Sequence, residues 1–116
     1  MKKYIFLSGI LFSLFSCESN TYESLEEQEV VTGPVTYNAN AKAIIDANCI
    51  ACHASGGTLK PLETYAEVKD AVLNTNLLDR IQRQNGTTGQ MPKSGRMSQD
   101  KINIILQWSA DGLLEN

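Results

Sequence analysis

Apolar residues recur at three- and four-residue spacing in several stretches of this chain, and such spacing is typical of amphipathic helices. Three such stretches precede the C-terminal one, and the first predicts a helix from about Asn38 to Asn48 with Ala41, Ile44 and Ile45 on one face. The second predicts a helix that Pro61 opens and that runs until Asn74, with Tyr65, Val68, Ala71 and Val72 on one face. The third is a short helical piece with Leu77, Leu78 and Ile81. Turn-forming residues at 55–58 and 85–89 interrupt the apolar period. The pattern predicts an all-α domain.

The C-terminal stretch carries helix signals at both of its ends. Ser98 is a good N-cap residue, and Met97 and Ile102 occupy the two positions of a hydrophobic staple. Gly112 is a natural terminator. These signals predict a helix that starts at Ser98 and stops at Gly112. Its expected inner face comprises Ile102, Ile105 and Leu106, with Trp108 at the edge.

The first 17 residues form a basic and apolar leader. Lys2 and Lys3 precede an apolar run from Tyr4 to Phe15, which is too short to span a bilayer. The run ends in Leu-Phe-Ser-Cys17, which resembles a bacterial lipobox, where the leader is cleaved and the new N-terminal cysteine receives lipid. We therefore predict a lipoprotein signal peptide at 1–17, with Cys17 as an anchor on a membrane surface. An ordinary secretory signal, with Cys17 incidental, is the alternative.

The segment from 18 to 35 is acidic and poor in large apolar groups. It holds five glutamates and no lysine or arginine, a composition that cannot bury enough surface to offset the cost of chain ordering. We predict a flexible tether there, with a short helix from Ser24 to Val30 as the alternative. Residues 36–116 carry eight acidic and eight basic side chains, so the net charge of −3 arises before them. Because acidic and basic side chains are equal in number in this folded domain, its composition gives no indication of nucleic-acid binding.

The most specific motif of the chain is Cys49-Ile50-Ala51-Cys52-His53. Cys-x-x-Cys-His is the attachment signature of c-type haem: the two thiols can form thioethers, and His53 is placed to bind the iron. A zinc site would need a fourth ligand, and the folded part offers only these three thiolate and imidazole ligands. A thioredoxin-like dithiol is expected near a βαβ pattern, which is missing from the surrounding sequence. A structural disulfide between Cys49 and Cys52 is the remaining alternative.

Two methionines can supply a second axial ligand to a haem iron. Met91 precedes Pro92, which disfavours helix at Met91 and holds it extended, so its side chain can project from a loop. Met97 has Ile102 to pack against, so its expected role is in the core. We therefore predict Met91 as the ligand, and an irregular gap-filling role for Met91 is the alternative.

Together, the cysteine–histidine motif, the Met91-Pro92 loop and the capped C-terminal helix resemble a class I monohaem cytochrome c over residues 36 to about 114. The resemblance implies a small helical domain wrapped around one covalently bound haem, with the N- and C-terminal helices crossing and His53 and Met91 as axial ligands. It implies one-electron carriage and no enzymatic activity, in a monomer of the bacterial cell envelope that faces the periplasm. The implied partner is an oxidase, a reductase or a dehydrogenase. Candidates for contact with the haem propionates are Arg80, Arg83, Tyr65 and Trp108.

Two other functions stay open. A five-coordinate haem protein, acting as a sensor or a peroxidase, would bind a small ligand at an open iron site if Met91 were off the iron. A lipoprotein domain without haem would be stapled by a Cys49–Cys52 disulfide. In the electron-carrier interpretation, Lys93 and Arg96 flank Met91 and could form a basic rim that orients an acidic partner.

Overall fold

The computed structural model of the protein describes residues 31–116. The predictions for the leader, for Cys17 and for the acidic segment as far as Val30 lie outside the described residues. The described part contains one π-helical turn and four α-helices and no strand, which confirms the all-α prediction for this part of the chain. The elements are the π turn Tyr37–Ala41, α1 (Lys42–Asn48), α2 (Tyr65–Asn74), α3 (Leu77–Gln82) and α4 (Gln99–Ala110). Within 31–116, no helix has the length and apolar character needed to cross a membrane.

The first helical segment starts as a π turn and continues as α1. The Thr36 carbonyl accepts hydrogen bonds from the backbone N–H groups of Asn40 (3.1 Å) and Ala41 (3.2 Å), and the Thr36 hydroxyl accepts one from Ala39 (3.4 Å). The apolar positions predicted from the sequence are all buried: Ala41, Ile44 and Ile45. The predicted segment 38–48 is therefore confirmed to within one residue, and it ends directly at the cysteine motif.

Helix α2 begins four residues later than the proline signal predicted. Thr64 and Glu67 form a capping box: the Thr64 hydroxyl accepts from the Glu67 N–H (3.3 Å), and the Glu67 carboxylate accepts from the Thr64 N–H (2.9 Å). Reciprocal satisfaction of two N-terminal donors fixes the start at Tyr65, so the prediction that Pro61 opens this helix was wrong. The predicted inner face and the end at Asn74 are confirmed.

Helix α4 has the predicted limits, although one side chain is placed differently from the prediction. Gly112 adopts a φ of +98°, and its N–H and that of Leu113 donate to the carbonyls of Ser109 (3.2 Å) and Trp108 (3.0 Å), which forms a Schellman-type ending. Met97 and Ile102 are both buried, as a hydrophobic staple requires. Trp108 was predicted at the edge, but it is fully buried.

An aromatic cluster explains the burial of Trp108 and joins the two ends of the domain. The Trp108 ring lies 5.6 Å from the Tyr37 ring and 6.4 Å from the Tyr65 ring, measured between centroids. Its indole N–H donates to the Leu114 carbonyl (2.8 Å), which also accepts from the Tyr37 N–H (2.8 Å). The last residue of the acidic segment, Val35, is also buried in this core.

Candidate functional site

The predicted site residues of the folded part meet at one cavity of about 730 Å³. Its wall includes Cys49, Cys52, His53 and Met91, which come from two segments almost forty residues apart. The volume is within the range of pockets that bury a drug-sized ligand, roughly 300–1,000 Å³. Much of the remaining wall is apolar and comes from α1, α2, α3, α4 and the loop before α2: Ile45, Leu62, Ala71, Leu77, Ile81 and Ile105.

The cysteines lie on a tight turn at the end of α1. The Cys49 N–H donates to the Ile45 carbonyl (2.8 Å), and the Cys49 carbonyl accepts from the N–H groups of Cys52 (3.2 Å) and His53 (3.0 Å). Both thiols are free, and no disulfide joins them. Cys49 is partly buried in the wall, and burial raises the pKa of its thiol to about 11, whereas Cys52 is exposed. The two sulfurs therefore meet different surroundings, one inside the wall and one near solvent.

The imidazole of His53 has a fixed orientation and a defined tautomer. Its Nδ1 lies 2.8 Å from the backbone carbonyl oxygen of Lys60. Because a carbonyl oxygen can only accept, Nδ1 carries the proton and donates, which leaves the lone pair on Nε2 free to bind a metal. The His53 carbonyl in turn accepts a hydrogen bond from the Leu62 N–H (2.8 Å). Both the ring and the backbone of His53 are therefore bonded to the far end of the loop from His53 to Leu62.

The carbonyl that holds His53 belongs to a residue that sequence reasoning did not single out. Lys60 is followed by Pro61, and a residue before proline is held extended, so its carbonyl does not enter a helix. The Lys60 ammonium is paired with the Asp70 carboxylate on α2. Hydrogen bonds from Lys60 and from Asn74 hold the pKa of Asp70 below its usual value. The Lys-Pro pair, which begins seven residues after His53, was the signal that could have identified this contact.

Both methionines line the cavity. The Met91 N–H donates to the Arg80 carbonyl on α3 (3.1 Å), and the peptide bond from Met91 to Pro92 is cis. Met91 is partly exposed in a loop, as predicted, and Met97 is buried in the core with 6% of its surface exposed. Because both side chains reach the cavity, the choice of Met91 over Met97 as ligand stays a prediction.

The charged groups in the wall are all cationic. Lys60, Arg80 and Lys93 line the cavity, and no carboxylate of the described residues does. Among residues 31–116, Arg80 has no carboxylate partner: its Nε donates to the Asn76 side-chain oxygen (2.8 Å), and a longer contact of 3.5 Å joins its guanidinium to the Gly89 carbonyl. An occupant with an apolar body and negatively charged groups matches this wall.

Three of the four propionate candidates are committed elsewhere. Arg83 is paired with Asp79 and donates to the Thr88 carbonyl (2.6 Å). The Tyr65 hydroxyl donates to the Leu113 carbonyl (2.8 Å), and Trp108 lies in the aromatic cluster. None of the three lines the cavity, so only Arg80 keeps this candidate role.

Sequence reasoning also did not identify Gln90 and Asn85. Gln90 is one of two buried polar side chains in the described part, and Asn85 accepts a hydrogen bond from it. Both lie in a stretch without an apolar period, where pattern reasoning predicts only turns. The available signal for Gln90 was its position as a polar residue directly before Met91, the predicted ligand.

The site therefore combines two thiols, an imidazole with a free Nε2, two thioethers and a largely apolar wall whose charged groups are cationic. Within residues 31–116, no three or more His, Cys, Asp or Glu side chains form a group that could hold a metal ion. Axial ligation of a haem iron needs no such group, because it uses one side chain on each face of the porphyrin. Comparisons with protein-family models, with characterised proteins and with solved structures gave no match to this chain.

Proposed function

We propose that this chain is a one-electron carrier of the c-type cytochrome kind, with one haem held covalently between His53 and Met91. The observation that carries the proposal is the meeting of Cys49, Cys52, His53 and Met91 at one largely apolar cavity. In the sequence the cysteine motif and the methionine are separated by 37 intervening residues, so their meeting is a property of the fold. When bound, haem supplies a ferric–ferrous couple that accepts and releases a single electron.

The residues present fit that cofactor by their chemistry. Cys49 and Cys52 offer the two thiols for thioether links, and the His53 Nε2 offers the proximal nitrogen. The guanidinium of Arg80 and the ammonium group of Lys93 would offer positive charge to the propionates, whereas the Lys60 ammonium is paired with Asp70. The apolar part of the wall would limit the access of water to a bound porphyrin.

The bond from His53 Nδ1 to the Lys60 carbonyl has two effects on the proximal ligand. It fixes the ring plane and the tautomer, and it makes Nε2 a stronger donor, as outer partners of metal-binding histidines do. A thioether from Met91 on the opposite side would fill the second axial position and favour the ferrous state. Together His53 and Met91 would keep small molecules from a bound iron, which would favour electron transfer over ligand binding or peroxide chemistry.

The proposed setting is the bacterial cell envelope. A lipid on Cys17 and the acidic segment 18–35 would hold the domain on a membrane surface, facing the periplasm. Tethering raises the concentration of the domain near an oxidase, reductase or dehydrogenase on the same membrane. The domain needs no second copy to complete the cavity, and we propose that it works as a monomer.

Expression of the full chain together with a bacterial haem-maturation system tests this function. We expect a coloured protein whose mass is increased by one haem, with the methionine-to-iron absorption band of a ferric His/Met haem. A double variant with Cys49→Ser and Cys52→Ser is the control, and it should gain no covalent haem. A colourless wild-type product of unmodified mass would refute the proposal and leave a domain without haem.

A further inference from the structure

The loop that carries Met91 is organised by a buried amide directly beside it. Gln90 is 7% exposed, and its side chain makes three hydrogen bonds. Its Oε1 accepts from the Gly86 N–H (3.2 Å), and its Nε2 donates to the Asn85 side-chain oxygen (3.2 Å) and to the Pro92 carbonyl (2.9 Å). These bonds tie the backbone after Met91 to the turn before it.

Asn85, which is exposed, extends this network to Arg96, three residues before the start of α4. Its Oδ1, which accepts from Gln90, also accepts from the Arg96 N–H (2.8 Å). The two amide side chains therefore connect points in the loop on both sides of Met91. Met91 itself is fixed to α3 by its N–H bond to the Arg80 carbonyl.

The two amides act from behind the cavity wall. Met91, Pro92, Lys93 and Ser94 line the cavity, whereas Gln90 does not. A buried amide with paired donors and acceptors holds one geometry, because any movement would leave a desolvated polar group without a partner. The network thus restrains the segment that forms the distal wall without touching the cavity.

We propose that Gln90, supported by Asn85, is the positioning residue that keeps the Met91 thioether on the iron and so decides whether this protein carries electrons or binds small ligands. The inference rests on the proposed function. Gln90 is not a catalytic residue, since it acts only through Met91. Its loss would turn the closed distal side into one that imidazole or carbon monoxide can enter.

The test compares imidazole binding by the full, haem-loaded ferric chain with and without this network. Gln90→Leu keeps the size of the side chain and removes all three bonds. Gln84→Leu is the matched control, because Gln84 is an exposed glutamine of the same loop whose side chain makes no hydrogen bond to the part of the chain that the structure describes. We expect at least about a tenfold gain in imidazole affinity for Gln90→Leu, the scale set by loss of one buried hydrogen-bonded pair. The methionine-to-iron band should weaken in the same variant, and Gln84→Leu should match the wild type.

Imidazole affinity and the methionine-to-iron band separate the positioning of Met91 by Gln90 from a general structural role of Gln90. Both are measured well below the melting temperature, where a variant that is only less stable would keep wild-type imidazole affinity and a full methionine band. Wild-type values for a folded Gln90→Leu protein would overturn the inference while leaving the proposed function intact. A wild-type chain without haem would instead remove the proposed function.

A second variant covers the possibility that Gln90→Leu does not mature. Asn85→Ala removes the acceptor shared by Gln90 and Arg96, and it leaves Gln90 two of its three bonds. The same direction of change, with a smaller gain in imidazole affinity, supports the inference. Wild-type affinity and an undiminished band in Asn85→Ala overturn it.

Discussion

Single residues at the cavity have separate tasks that follow from their surroundings. The two thiols differ in exposure, and the imidazole of His53 is fixed by a backbone carbonyl, which no side-chain substitution of Lys60 removes directly. The methionines differ in a similar way, since Met91 is in a loop and Met97 is buried under α4. Substitution of each methionine therefore distinguishes ligand from core.

We predict opposite outcomes for Met91→Leu and Met97→Leu in the haem-loaded protein. Met91→Leu should abolish the methionine-to-iron band and allow the ferrous protein to bind carbon monoxide, because leucine has no donor atom. Met97→Leu should keep the band and reduce the free energy of unfolding by less than about 1.5 kcal/mol, as volume-conserving core changes do. Visible spectra and urea titrations measure the two effects. The reverse pattern, with the band lost only in Met97→Leu, would reassign the distal ligand.

At this scale the sequence predicts the candidate site residues more readily than the groups that contact them. Cys49, Cys52 and His53 are recognisable because the motif is local and the attachment chemistry demands its spacing. The Lys60 carbonyl meets His53 across an irregular loop, and the Gln90 amide is buried in a stretch without an apolar period, so neither follows from a periodic pattern. The same limit applies to Arg80, which was distinguishable from Arg83 only after the fold separated the cavity wall from the surface.

The helices are set by their ends as much as by their apolar faces. Apolar periodicity located the cores of α2 and α4, since burial of one face is what the period reports. The start of α2 depends on hydrogen bonds between Thr64 and Glu67, and these outweigh the preference of Pro61 for a first turn. The sequence contains the Thr-x-x-Glu spacing that indicates this capping box. Trp108 was misplaced because its partners Tyr37 and Tyr65 come from distant segments.

Removal of the capping box should destabilise the protein in a pH-dependent way. Thr64→Ala should lower the free energy of unfolding by about 1 kcal/mol at neutral pH, since the N-cap acceptor is lost. The backbone N–H of Thr64, more than any other group, lowers the pKa of Glu67 below its ordinary value of 4.5. The Glu67 contribution is therefore present above pH 4.5 and fades as the pH falls through the lower pKa of the folded state. Urea titrations across pH 3–7 on Glu67→Ala measure the loss.

Matched substitutions control for composition in this experiment. Thr58→Ala changes an exposed threonine outside any helix, and Glu63→Ala removes a glutamate side chain that makes no ion pair or hydrogen bond within residues 31–116. Both should leave the stability close to that of wild type. A gap between wild type and Glu67→Ala that stays constant down to pH 3 would show that the carboxylate bonds do not hold the helix start.

At the scale of the whole molecule, the cavity is large for the size of the domain that holds it. The folded part has about 80 residues, a size at which a polypeptide core alone is marginal. Parts of α1, α2, α3 and α4 line the cavity, and an occupant would cover the apolar lining residues that are still exposed in part, Leu59, Leu77 and Met91. The cofactor of the proposed function would thus also complete the core.

We therefore predict that the chain is poorly folded without haem. A double variant with Cys49→Ala and Cys52→Ala, produced beside the haem-loaded wild type, should lose much of its far-UV circular dichroism signal and its sharp thermal transition. The physical reason is the loss of the apolar plate on which the helices pack. Full native helicity with cooperative melting in the double variant would contradict this prediction.

The basic rim is a property of the surface around the cavity. Of its two predicted residues, only Lys93 lines the cavity. Lys93 is exposed and lines the cavity, whereas Arg96 donates to the Gln99 side chain (2.7 Å). Oxidation of the ferrous protein by ferricyanide, an anionic acceptor, should be several-fold slower in Lys93→Glu at low ionic strength, and the difference should shrink as salt is added. Lys101→Glu makes the same charge change on α4, away from the cavity, and should have a smaller effect. Equal rates for wild type and Lys93→Glu at low salt would exclude a steering role.

The aromatic cluster also determines where anything attached to the domain must leave it. The Val35 N–H is bonded to the Asp111 carboxylate (2.7 Å), and Leu114 is bonded to both Tyr37 and Trp108, so the two termini exit side by side. None of these residues borders the cavity. A tether or a fused reporter at this end of the domain would therefore be attached at residues that do not line the cavity, so the cavity wall would stay accessible to a partner.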